Sequence, residues 1–114
     1  MQLNTQTTDD VLIIHVDEPR IDASVAIQFK DTVRGLIADG PKQVLLDLAR
    51  VDFLDSSGLG AVVAVMKHLG KDRQLILSGL TPNVAKVFRL TRMDRVFRIH
   101  DSVDDALGAP GAAA

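Results

Sequence analysis

The chain has 114 residues and a formal net charge of -2; 46% of its residues are hydrophobic and 25% are charged. This length suffices for one domain with a single hydrophobic core. The absence of cysteine excludes disulfides, cysteine-ligated zinc and thiol catalysis. With no signal-peptide pattern and no apolar run of about 20 residues, we expect a cytoplasmic protein without a membrane segment. The slight negative charge and the absence of Trp and Tyr argue against direct nucleic-acid binding.

The N-terminal part of the chain predicts a β-hairpin followed by a helix. Leu3–Thr8 alternates weakly, residues 9–10 indicate a turn, and residues 11–16 form an apolar run of strand length. Pro19 ends the second strand because it has no amide proton for a sheet. We expect Asp22 to be the N-cap of the first helix. The core-facing stripe of that helix has helical spacing and consists of Ala26, Phe29, Val33, Leu36 and Ile37.

The rest of the chain alternates between strands and helices. Residues 40–41, Gly-Pro, end the first helix, and the apolar residues 44–46 are typical of a central parallel strand. A second helix opens at Gly58 and ends at Gly70. The remaining predicted elements are a strand over 74–78, a helix after Thr81-Pro82 with Val84, Val87, Phe88 and Leu90 on its apolar face, a strand over 96–99, and a short helix capped by Asp101 or Ser102 that ends at Leu107.

This order of elements predicts an α/β sandwich built as one domain. Helical crossovers make the sheet mostly parallel, and the hairpin adds an antiparallel edge. We therefore expect a mixed sheet of about five strands with the helices packed mainly on one face. The domain is expected to cover residues 1–107, and residues 108–114 are expected to form a flexible tail.

Two hydroxyl groups stand where an acidic loop meets an apolar helix. Ser56 and Ser57 follow Asp55, and the helix carries no polar side chain from Gly58 to Met66. A helix that is apolar all round is normally buried all round, so its outer face is expected to need a partner protein. A second copy of the chain is one alternative for that partner. A phosphate on a serine here would add nearly two negative charges and oppose docking, whereas simple helix capping is the other interpretation of the serines.

Catalytic and ligand-binding alternatives lack essential residues. Residues 58–60 begin a dinucleotide-binding fingerprint, but Val63 stands at the position of its third glycine. Gly70-Lys71 could end a phosphate-binding loop, but the residues before and after this pair do not match the pattern of such a loop. No histidine is suitably spaced to act as a base for the serines, and no His-Glu-x-x-His zinc motif occurs. Loop solvation and capping explain three nearby aspartates better than a cation site does: Asp47, Asp52 and Asp55. We expect no enzyme, cofactor or metal.

Basic residues are concentrated in one later segment, in which Asp94 is the only acidic residue: Lys86, Arg89, Arg92, Arg95 and Arg98. Such runs usually form a solvated surface. Steering of an acidic partner is a second interpretation. Nucleic-acid binding would require these arginines to converge on one groove-sized face.

Residues 55–60 (DSSGLG), after residues 44–48 (VLLDL) and 51–54 (VDFL), resemble the signature of the STAS domain, in particular that of single-domain bacterial anti-sigma factor antagonists. Residues 20–23 (RIDA) resemble the family motif at the start of the first helix. Shorter similarities occur at residues 75–77, 82–84 and 90–93. The resemblance covers the chain from residue 9 to residue 107.

The resemblance implies a partner switch. An unphosphorylated antagonist binds a serine kinase of the histidine-kinase-like ATPase fold, which is also the anti-sigma factor, and thereby frees a sigma factor. Phosphorylation of the antagonist releases it, and a phosphatase restores it. By motif position the phosphoacceptor is Ser56. The implied partner-binding residues are Asp22, Asp55, Ser57, Gly58, Leu59, Gly60 and Val62. Alternatives are a STAS module that acts on a regulator other than a sigma factor or in a larger assembly and, less favoured, a small-ligand-binding protein or a serine-dependent enzyme.

Overall fold

The computed structural model describes residues 1–108. Its strands are β1 (Leu3–Thr8), β2 (Val11–Val16), β3 (Arg20–Ile21), β4 (Gln43–Asp47), β5 (Phe53–Leu54), β6 (Gln74–Ser78) and β7 (Arg98–His100). Its α-helices are α1 (Ala26–Ile37), α2 (Ser56–Leu69), α3 (Pro82–Leu90) and α4 (Val103–Gly108), and a short 3₁₀ helix covers Met93–Arg95. Gly108 ends α4, and the rest of the predicted tail, 109–114, lies outside the described residues.

Five strands form one mixed sheet in the order β1-β2-β4-β6-β7. β1 and β2 are antiparallel, and the other neighbouring strands are parallel. This arrangement confirms the predicted mixed sheet with an antiparallel hairpin at one edge. β4 occupies the centre, because a strand that is apolar on both faces has to be covered on both faces.

The two faces of the sheet pack against different helices. On one face, Val44 and Leu46 belong to the main core together with buried residues of α1, α2 and α3. On the other, Leu45 lies opposite Ile13 and Ile76 in the sheet and packs in a smaller core with Ala106 of α4. Alternation of side chains along a strand divides the residues in this way. The prediction that the helices lie mainly on one face is confirmed.

Short elements and the ends of helices differ from the sequence prediction. β3 and β5 pair in parallel as a separate two-stranded sheet, and neither was predicted. The predicted strand over 96–99 begins only at residue 98, because the preceding residues form the 3₁₀ helix and leave Val96 exposed. Leu36 and Leu90, which were expected in the core, are 39% and 74% exposed. Leu90 lies two residues after the buried Phe88, which places it on the opposite side of α3.

Side-chain hydrogen bonds to the backbone support two of the loops. The Ser102 hydroxyl accepts a hydrogen bond from the Asp105 amide at 3.0 Å and so caps α4, as predicted. Thr81 occupies the N-cap position of α3, but its hydroxyl donates to the Val51 carbonyl at 2.7 Å instead of capping the helix.

Within the described part of the chain, each helix is too short or too polar to cross a bilayer.

Candidate functional site

Asp55 joins the start of α2 to the turn that precedes α1. Its Oδ1 atom accepts a hydrogen bond from the Gly58 amide at 2.9 Å and caps α2. Its Oδ2 atom accepts a hydrogen bond from the Ala23 amide at 3.2 Å. One carboxylate therefore fixes both segments, and α2 begins at Ser56, two residues before the predicted start.

Asp22 is not the N-cap of α1, because it is engaged in a turn of its own. The N-cap residue is Val25, without a side-chain hydrogen bond. The Asp22 carboxylate accepts hydrogen bonds from the Ser24 amide at 3.1 Å and the Ser24 hydroxyl at 2.6 Å, and the Asp22 carbonyl accepts from the Val25 and Ala26 amides. An aspartate readily satisfies the backbone two residues ahead, so the regular helix starts later.

Arg20 connects the Asp22 turn with β5. Its Nε atom donates to Asp22 Oδ2 at 3.2 Å, and its guanidinium carbon lies 4.1 Å from the centre of the Phe53 ring. The pKa of Asp22 is lowered below its ordinary value, mainly by the hydrogen bond from the Ser24 hydroxyl and, to a smaller extent, by the hydrogen bond from Arg20. These contacts favour the ionised form of Asp22.

The side chains of Ser56 and Ser57 are exposed on the first turn of α2. Neither hydroxyl makes a hydrogen bond to any residue within 1–108. Because Asp55 supplies the cap, both hydroxyls remain available to a partner or a modifying enzyme.

Gly58 and Val62, which the sequence places in the partner surface, face the interior. A β-carbon on Gly58 would lie 2.0 Å from the Ile21 carbonyl oxygen, so the missing side chain lets α2 approach β3. Val62 is fully buried and cannot contact a partner directly. Leu59 is half-buried and packs against the core, whereas Gly60 is exposed.

A shallow groove of about 300 Å³ lies between α1 and α2 and begins beside Ser57. We call it the α1–α2 groove. Its lining consists of Ala23, Ala26, Ile27, Lys30, Ser57, Gly60, Ala61 and Ala64. Small residues on α2 leave this space open, and Ile27 beside it is 70% exposed. The predicted site did not include Ile27 or Lys30. The available signal was that Ile27 lies outside the core-facing stripe of α1.

The histidines considered as catalytic bases lie away from the two serines or are engaged elsewhere. His15 Nδ1 is 2.7 Å from Asp47 Oδ2, and His15 Nε2 is 2.9 Å from Gln6 Oε1. His68 is exposed near the far end of α2. The described residues contain no group of three or more acidic, histidine or cysteine side chains that could hold a metal ion.

Three of the four arginines of the basic segment line two separate depressions. Arg89 lines one together with Asp94 and Asp101. Arg95 and Arg98 line another. They do not form the single groove-sized face that nucleic-acid binding would require.

This fold and site correspond to a known family. The STAS domain matches residues 2–106, and the chain belongs to that family. Among the proteins that it is similar to are anti-sigma factor antagonists. BtrV of Bordetella bronchiseptica, provisionally named as such an antagonist, is 29% identical over 110 residues, which are 96% of this chain and 94% of BtrV.

Solved structures agree with this assignment. An anti-sigma factor antagonist from Mycobacterium paratuberculosis is 28% identical and superposes with a TM-score of 0.85 over 93% of this chain and 90% of its own. The Bacillus protein SpoIIAA in its phosphorylated form has a TM-score of 0.69 and 21% identity, over 93% of this chain and 96% of its own. At that identity, the similarity to SpoIIAA concerns the fold alone.

Proposed function

We propose that the protein is a non-enzymatic anti-sigma factor antagonist of the cytoplasm, controlled by phosphorylation of Ser56. The observation that carries the proposal is the exposed, unengaged hydroxyl of Ser56 on the first turn of α2. It lies next to Asp55, which occupies the cap position that a serine commonly takes. The similarity to anti-sigma factor antagonists over nearly the whole chain supports the choice of pathway.

The partner of the unphosphorylated protein is a serine-kinase anti-sigma factor with the histidine-kinase-like ATPase fold. This partner docks on the α1–α2 groove and on the exposed first turn of α2. The apolar contribution comes from Ile27 and the small residues of the groove, whose surface loses water on binding. Occupation of this surface keeps the anti-sigma factor away from its sigma factor.

Phosphorylation reverses the binding through charge. The Ser56 oxygen attacks the terminal phosphorus of ATP, the bond to ADP breaks, and the hydroxyl proton passes to solvent or to a base of the kinase. The product carries about 1.5 to 2 negative charges beside the carboxylates of Asp22 and Asp55. The N-terminus of α2 stabilises a nearby anion by about 0.3–1 kcal/mol, so the domain stays folded. A partner would have to desolvate that phosphate, and docking becomes unfavourable. Hydrolysis of the phosphoserine by a phosphatase restores the binding form.

SpoIIAA gives this proposal a structural parallel. Structures of SpoIIAA exist in the unphosphorylated and the phosphorylated form, and this chain has the same fold as both. A phosphorylated form is therefore compatible with the fold.

Incubation with ATP and the purified kinase-type anti-sigma factor encoded nearest to this protein tests the phosphoacceptor. Intact mass spectrometry should show one added phosphate, and fragmentation of the tryptic peptide 51–67 should place it on Ser56. Ser56→Ala should abolish the modification, whereas Ser57→Ala, the matched control, should retain it. A phosphate on Ser57, or one that persists in Ser56→Ala, would contradict the proposal.

A further inference from the structure

We propose that the protein has a second docking site, near the C-terminal end of α2, that binds an acidic peptide segment of a partner protein. Three arginines line a depression there together with apolar side chains: Arg73, Arg95 and Arg98. The proposal does not depend on the phosphorylation switch.

The depression has a volume of about 440 Å³ and is built from three parts of the chain. Arg73 precedes β6, Arg95 ends the 3₁₀ helix, and Arg98 starts β7. The rest of the lining consists of Gln74 and four apolar side chains, which we call the floor: Met66, Leu75, Val96 and Phe97. Val96 is 52% exposed, which is high for a valine and leaves apolar surface next to the guanidinium groups.

The three arginines of this depression form no ion pair with the described residues. The ion pairs among residues 1–108 involve His15, Arg20 and Arg50, and none of the three arginines of the depression has a carboxylate within 4.0 Å. No acidic residue lines the depression. Asp94, next to Arg95 in the sequence, lines the other depression with Arg89. Arg73 also lines a depression that contains Asp10 and Asp72, so the counter-charge of an acidic ligand would act mainly on Arg95 and Arg98.

One of the three arginines is already fixed in position. The Arg73 Nη1 atom donates to the Ile37 carbonyl oxygen at 2.7 Å, and the side chain is half-buried. Arg95 and Arg98 are exposed and can turn toward a ligand. Guanidinium groups bind carboxylates through paired hydrogen bonds, and a fixed one loses less side-chain entropy on binding.

The combination of charge and apolar floor favours a peptide over other anions. A small anion such as phosphate would leave the surface of Val96 and Met66 in water. A nucleic acid would use an exposed aromatic ring for stacking, but Phe97 is only 6% exposed. A peptide with an apolar side chain between carboxylates can contact both the floor and the arginines. Met66 lies ten residues after Ser56, about 15 Å along α2, so the two sites are separate on the surface.

Fluorescence anisotropy with a fluorescein-labelled octapeptide of sequence EELLEEIE tests the site. The variant Arg95→Glu/Arg98→Glu should bind this peptide roughly tenfold more weakly than the wild type. The matched control Arg89→Glu/Arg92→Glu changes the net charge by the same amount outside the depression and should bind within about twofold of the wild type. Equal weakening in both variants would overturn the proposal, because it would indicate only the general field of the protein.

Further probes distinguish an acidic peptide from other ligands of this depression. The peptide EEGGEEGE, which lacks apolar side chains, should bind more weakly than EELLEEIE; equal binding would contradict the role of the floor. Amide shifts in ¹H–¹⁵N spectra should move at Leu75, Val96 and Phe97, and shifts elsewhere would overturn the location. If a single-stranded DNA octamer bound more tightly than the peptide, the ligand would be a nucleic acid and the proposal would be wrong. If the protein self-associated without peptide and Arg95→Glu/Arg98→Glu abolished this, the ligand would be a second copy of the chain. The milder Arg95→Gln/Arg98→Gln should also weaken binding, and circular dichroism checks that each variant is folded.

Discussion

Gly58 is the position at which the first turn of α2 lies against the backbone of β3. In Gly58→Ala the new β-carbon would lie 2.0 Å from the Ile21 carbonyl oxygen, whereas real β-carbons essentially never come closer than 3.0 Å. The obstacle is backbone, so α2 or β3 has to move by about 1 Å. Such overpacking costs about 1–3 kcal/mol or more. The movement also strains the hydrogen bonds of Asp55 to the Gly58 and Ala23 amides, which contribute about 1 kcal/mol each.

Gly60 provides a matched control on the same helix. A β-carbon there has no neighbour within 4 Å, and the residue is exposed. Alanine is favoured over glycine in a helix by about 1 kcal/mol, and this preference acts at both positions. We therefore expect Gly60→Ala to raise the free energy of unfolding by about 0.5–1 kcal/mol and Gly58→Ala to lower it by about 2 kcal/mol.

Urea denaturation of both variants, followed by circular dichroism, measures the difference. The midpoints should move in opposite directions while the slopes of the transitions stay unchanged. In thermal unfolding, a change of 1 kcal/mol corresponds to a shift of about 5 °C for a domain of this size. If Gly58→Ala were as stable as Gly60→Ala, the close packing of α2 on β3 would be wrong.

Three further predictions concern the loops around the site and the last helix. Asp55→Ala should lower the free energy of unfolding by about 1–2 kcal/mol, because α2 loses its cap and the turn before α1 loses its anchor; Asp55→Asn should cost less in the same urea titration. An NMR titration should give Asp22 a pKa below 3.8, and Ser24→Ala should raise it. Because the folded state lowers this pKa, the stabilisation is complete above pH 3.8 and is lost as the pH falls through the native pKa. Ser102→Ala removes the cap of α4 and should cost about 1 kcal/mol in thermal unfolding, whereas Ser102→Asp should largely keep that stability.

The long apolar segments of the sequence determine most of the fold. The apolar runs of β2, β4 and β6 and the spacing of Phe29, Val33 and Ile37 were sufficient to predict the mixed sheet and the helices on one face. β3 and β5 were missed because two residues are too short to show any periodicity. Their pairing depends on contacts between residues more than thirty positions apart, such as Ile21 with Leu54.

The candidate site was predictable in its location but not in the orientation of its side chains. The Asp-Ser-Ser-Gly pattern identified the start of α2. It did not show which of three polar residues caps the helix, because aspartate and serine are both good N-caps. The burial of Val62 follows from its place between Gly58 and Val65 on the inner side of α2. The groove beside α1 and the contribution of Arg73 to the arginine depression depend on tertiary packing, which no local pattern records.

A binding titration of phosphomimetic variants tests the central claim most directly. The purified kinase-type anti-sigma factor is titrated with the wild type, Ser56→Ala, Ser56→Asp and Ser57→Asp by isothermal calorimetry. Ser56→Ala should bind like the wild type and, in the presence of ATP, should stay bound while the wild type is released. Ser56→Asp should bind at least about tenfold more weakly than the wild type, a loss of about 1.4 kcal/mol. Wild-type affinity of Ser56→Asp would contradict the charge switch at Ser56, and weakening by Ser57→Asp alone would move the switch to the neighbouring hydroxyl.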